Sequence, residues 1–70
     1  MANLTRAARR AQNAQALAES RERFWETHDT YRIECDVNPR DAVRIMAMRD
    51  TADRAYREWR SAGYRLFFDA

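Results

Sequence analysis

TYRIECDV, residues 30–37, alternates polar and apolar side chains and runs straight into NPRDAV at 38–43. Alternation of period two is the pattern of a half-buried strand, whose successive side chains face opposite sides of a sheet. The same eight residues could instead close a long helix, so their reading separates a small α/β protein from an all-α helical hairpin. A helix through residues 4–35 must keep its apolar side chains on one face at about 100° per residue. Leu17, Phe24, His28, Tyr31 and Cys35 meet that condition within about 60° of arc, and Ala14, Ala18 and Trp25 broaden the stripe. Ile33 and Val37 are left pointing elsewhere, and only a strand accounts for them. A strand at 30–37, however, has YRLFF at 64–68 as its sole candidate partner, and a two-stranded parallel sheet is too small to stand alone. The helix is the expected state. The α/β arrangement with short strands at 30–37 and 64–68 is the alternative.

The second element carries clearer punctuation. Asn38 is a good N-cap, Pro39 has the fixed φ suited to a first helical position, and Asp41 places a negative charge near the positive helix end. Gly63 stands where a left-handed residue would end the helix, with Tyr64 and Trp59 at the two positions whose side chains meet in a Schellman motif. Between them Ile45, Met48, Ala52, Ala55, Trp59 and Ala62 recur at alternating spacings of three and four, the seam of a helix packed on other helices. Ala42 and Tyr56 widen the stripe. Charged residues at i,i+4, Asp50 with Arg54 and Glu58 and Arg49 with Asp53 and Arg57, form the solvated face. The expected organisation is therefore one domain over 1–70: a helix at about 4–35, a turn at 36–38, a helix at about 39–62 and an apolar tail at 64–70. A turn this short returns the second helix antiparallel to the first.

Seventy residues bury only about 60% of the unfolded surface, so such a chain needs additional support. An internal disulfide is excluded because Cys35 is the only cysteine, and a lone thiol suits a reducing compartment. No stretch approaches the roughly 20 apolar residues of a membrane span, and no signal-peptide core is evident, so the expected location is cytoplasmic. All thirteen basic residues are Arg, which the codon usage of a GC-rich genome explains most simply. A GC-rich bacterium, or a phage infecting one, is the expected source.

Phe24, Trp25, Tyr31, Tyr56, Trp59, Tyr64, Phe67 and Phe68 are more large rings than two facing helices can enclose. Burying one such side chain contributes roughly 1.5–3 kcal/mol, so a partner surface is expected. The simplest is a second copy, giving a four-helix bundle around a two-fold axis through Leu17, Phe24, Trp25, Tyr31, Ile45, Met48 and Trp59. A different protein is the other option. Tyr64, Leu66, Phe67 and Phe68 in the tail either fold back over the open end of the hairpin or anchor in a pocket of a partner.

Catalytic chemistry is not expected. His28 and Cys35 share a face but stand seven residues apart, about 10.5 Å along a helix, too far for one metal ion or for a nucleophile and its base. His28 reads as a partly buried core histidine and Cys35 as a small filler. No Gly-rich phosphate loop occurs, and no metal, cofactor or small-molecule ligand is expected. The competing class is nucleic-acid binding: Arg6, Arg9, Arg10 and Asn13 at i, i+3, i+4 and i+7 would form one basic helical face. Against it, the formal net charge is only +2, and residues 19–36 hold six acids against three arginines. The leading expectation is a non-catalytic protein-interaction module, with a nucleic-acid-binding accessory protein as the alternative.

Overall fold

The computed structural model describes residues 5–68, which form two helices and the turn between them. Helix α1 runs Arg6–Val37 over 32 residues and α2 runs Ala42–Phe68 over 27 residues. They pack side by side in an envelope of 52 × 22 × 14 Å. Contacts step backward along α2 as they step forward along α1: Asn13 meets Arg65, Arg23 meets Glu58, and Glu34 meets Arg44. That is the antiparallel hairpin. No strand occurs among the described residues, so the α/β alternative at 30–37 and 64–68 is set aside: TYRIECDV is the last two turns of α1. Residue 4 of the expected first helix and residues 69–70 of the expected tail lie outside the described residues.

Helix α1 starts where Thr5, in extended conformation, accepts a hydrogen bond on Oγ1 from the Ala8 amide at 3.1 Å. This satisfies one of the four N–H groups a helix leaves open at its start. Its end lies two residues later than the sequence suggests. Asn38 caps α1, its amide donating to the Glu34 carbonyl at 2.8 Å and its Nδ2 to Glu34 Oε1 at 2.9 Å. Asn38 is therefore not the N-cap of α2. The Asp41 amide donates to the Asn38 carbonyl at 3.1 Å, closing a four-residue turn with Pro39 at its second position, where a fixed φ is favoured. Asp41 then takes the capping role, its Oδ1 accepting from the Arg44 amide at 3.2 Å. The physical reason is that Pro39 pushes Asn38 away from helical geometry and suits the turn itself, so α2 begins at Ala42 rather than at 39.

A second correction concerns Gly63. No described glycine has positive φ, and α2 runs through Gly63 to Phe68 without a Schellman stop. Tyr64 stacks on Phe68 at 5.7 Å between centroids instead of meeting Trp59. Two features carry the helix onward. The three-four spacing continues to a half-buried Leu66, and Gly63 itself faces the other helix, where a Cβ would stand 3.8 Å from Leu17 Cδ1. That separation is an ordinary contact. Gly63→Ala is accordingly expected to stabilise the fold by about 0.5–1 kcal/mol through reduced backbone entropy of the unfolded chain. A rise in the urea midpoint at unchanged slope is the observation that checks it.

Each helix contributes a seam with alternating three- and four-residue steps. On α2 it is Ile45, Met48, Ala52, Ala55, Trp59, Ala62 and Leu66, all buried or half-buried. On α1 it is Asn13, Leu17, Ser20, Phe24, Thr27, Tyr31 and Glu34, also all buried or half-buried, with a polar residue at every second place. Those polar groups find partners, as burial requires. Ser20 Oγ lies 2.7 Å from the Ala16 carbonyl and 3.0 Å from that of Leu17, and Thr27 Oγ1 lies 2.8 Å from the Phe24 carbonyl. Glu34 Oε1 accepts from both Asn38 and Arg44 Nε at 2.9 Å. Small and self-satisfied residues at these places let the backbones approach closely, so the buried apolar residues are alanines: Ala52, Ala55 and Ala62.

Candidate functional site

The rings collect near mid-length. Phe24 is the hub, with centroids at 5.1 Å from Trp25, 5.4 Å from Trp59, and 5.6 Å from both Tyr56 and His28. Trp25 and Tyr56 meet it edge-on, the geometry that places ring edges against ring faces. His28 stands 5.5 Å from Trp25, and its Nδ1 is shut off from water without a hydrogen-bond partner, 3.7 Å from Asp29 Oδ1.

Of the seven residues expected to form an association face, Leu17, Phe24, Tyr31, Ile45, Met48 and Trp59 lie half-buried along the seam between the two helices. Each is partly consumed by the hairpin itself. Trp25 stands on the flank and remains 45% exposed, and Tyr56, which the sequence reading treated as a margin of the seam, is 47% exposed beside it. The two flanks differ in character. One groove is lined by Ala14, Leu17, Ala18, Trp25, Trp59 and Leu66, apolar but for the neighbouring Arg21. The opposite groove presents Glu19, Arg23, Arg54, Arg57, Glu58 and Arg65, with an exposed Arg23–Glu58 pair at 2.9 Å. Such an exposed pair contributes little to stability.

The four residues of the expected C-terminal anchor are divided by the continued helix. Leu66 enters the apolar groove, whereas Tyr64, Phe67 and Phe68 are 49%, 76% and 76% exposed. The alternative in which these rings fold back over the hairpin end does not occur, because a helix holds them at fixed angles around its axis. Arg60 crosses the Tyr64 ring at 5.7 Å and donates to its hydroxyl at 3.3 Å, which holds the guanidinium above its already high ordinary pKa.

The expected basic face is also rearranged. Arg6, Arg9 and Arg10 are exposed, but Asn13 turns inward, its Nδ2 directed at the Arg65 carbonyl at 3.5 Å. The antiparallel return instead brings Arg65 toward the same end of the hairpin, level with Asn13. Sequence order hides this grouping, since about fifty residues separate its halves. Cys35 is half-buried beside Tyr31, and hydrogen bonding to that thiol raises the Tyr31 phenol above its ordinary value. Among the described residues no three His, Cys, Asp or Glu side chains come together as metal ligands, and no helix is long and apolar enough to cross a membrane.

No protein-family model matches the chain, and neither a curated protein nor a solved structure matches it. Function must therefore be argued from the surface itself.

Proposed function

We propose that this hairpin is a non-catalytic protein-interaction module that completes its core against a partner through the Trp25, Tyr56 and Trp59 flank. The simplest partner is a second copy, forming a four-helix bundle; the expected setting is the cytoplasm of a bacterium, or of one infected by a phage. One observation carries the reading: among the described residues no side chain is fully buried, and the only buried apolar residues are Ala52, Ala55 and Ala62. A hairpin whose largest apolar groups remain partly wet forgoes much of the 1.5–3 kcal/mol that each could contribute. A second hairpin laid on the apolar flank recovers it.

Light scattering across a protein concentration range tests this directly. The mass is expected to move from 8.3 kDa toward twice that value as concentration rises. Trp25→Glu should displace the transition to at least about 30-fold higher concentration, as befits a central aromatic anchor. A folded single copy at every concentration, with tryptophan emission already typical of buried rings, would falsify self-association.

A second reading is favoured by the gathering of Arg6, Arg9, Arg10 and Arg65 toward one end, with exposed Phe67 and Phe68 adjoining. Basic side chains interspersed with stacking rings suit a single-stranded nucleic acid. On that reading, gel-shift affinity falls steeply with salt, and Arg6, Arg9 and Arg10→Ala flattens the slope by about 2 on a log–log plot. Absence of retardation at low salt removes this reading.

A further inference from the structure

We infer that the copy seated on the apolar flank lies antiparallel to the first, with the open end of one hairpin beside the turn end of the other; this rests on the self-association proposed above. The inference comes from where folding places the charges. The open half, residues 5–21 with 59–68, holds Arg6, Arg9, Arg10, Arg21, Arg60 and Arg65 against Glu19 alone, a formal charge of +5. The turn half, residues 22–58, holds seven arginines against nine acids, a formal charge of −2. Asp69, outside the described residues, can remove at most one charge from the open half.

A two-fold axis along the hairpin would set +5 against +5. An axis perpendicular to it sets +5 against −2 at both ends of the pair. The position of the rings permits the second arrangement without loss of contact, because Phe24, Trp25 and Tyr56 lie within one helical turn of the middle of their helices. Rotation about an axis through them stacks ring cluster on ring cluster and keeps the lengths overlapping. The hairpin is 52 Å long and 22 Å wide, so two copies crossed about this axis overlap along most of their length.

The experiment pairs solution mass with spin-label distances. In a Cys35→Ser background, a single label is placed at the exposed Val37 near the turn or, in a separate protein, at the exposed Gln12 near the open end. At 1.5 Å rise per residue, the antiparallel pair separates both Val37 labels and both Gln12 labels by roughly 35–40 Å along the axis. A parallel pair brings both to about 20 Å, the width of two helices. Dimeric mass with two long distances supports the inference, and dimeric mass with short distances overturns it while leaving self-association intact. Monomeric mass throughout overturns both. The unlabelled protein gives an independent reading through salt: screening beyond about 10 Å at 0.1 M weakens an antiparallel dimer several-fold as salt rises, whereas it tightens a parallel one.

Discussion

Phe24→Ala is expected to destabilise this protein by about 3 kcal/mol. The side chain touches four other rings and bridges both helices, so its loss opens a void that no neighbour can fill while the helices keep their spacing. The lower end of the range for such truncations applies because the ring is only half-buried. Against a total of roughly 4–10 kcal/mol for a chain of this length, that is between about a third and three-quarters of the whole. Urea unfolding followed by circular dichroism, at one fixed protein concentration because association adds to apparent stability, measures the loss. Phe67→Ala, which truncates a ring that is 76% exposed on the same scaffold, should change stability by less than about 0.5 kcal/mol. Equal losses in the two variants would show that the ring cluster does not hold the hairpin together.

Enlarging the seam should be nearly as damaging as emptying it. Ala55 is 5% exposed, between Ala52 and Ala62 at 6% and 4%, and the close approach of the helices leaves no room for a branched side chain. Ala55→Leu is expected to cost about 2–3 kcal/mol by forcing the helices apart. Ala47→Leu, an equal enlargement at an exposed position of α2, should be close to neutral. The two variants have the same composition, so a difference between them isolates packing from propensity. Trp59, one turn beyond Ala55, reports the event: its emission should shift toward that of a hydrated indole in Ala55→Leu and stay unchanged in Ala47→Leu.

These variants also show how far the linear pattern could be read. The apolar stripe of Leu17, Phe24, Tyr31, Ile45, Met48 and Trp59 was legible, because helical periodicity depends only on spacing. The other half of the α1 seam was not. Asn13, Ser20, Thr27 and Glu34 are polar, and a search for apolar faces passes over them, yet a seven-residue recurrence in phase with Leu17, Phe24 and Tyr31 is a signal that spacing alone could have supplied. Gly63 misled for a related reason. Glycine marks helix ends by its freedom to adopt positive φ, but it also serves where another side chain must come near, and only the position of Leu17 distinguishes the two uses here. Asn38 and Asp41 are both competent caps, and Pro39 between them suits a first helical position as well as a turn, so local preference left the start of α2 open by three residues.

By itself the sequence favoured two long helices joined by one short turn, through nearly unbroken three-four periodicity and a single Pro and Gly, while strands at 30–37 and 64–68 stayed open until the structure removed them. Only the tertiary structure decided which side chains the hairpin consumes and which it leaves outward. Burial depends on what the opposite helix places at the same height, so Trp25 and Tyr56 remain on a flank while Phe24, their neighbour in the cluster, becomes its centre. The division into a basic open half and an acidic turn half has the same origin. Charges distant along the chain become neighbours only when it doubles back, and electrostatic interaction depends on separation in space, not on sequence order.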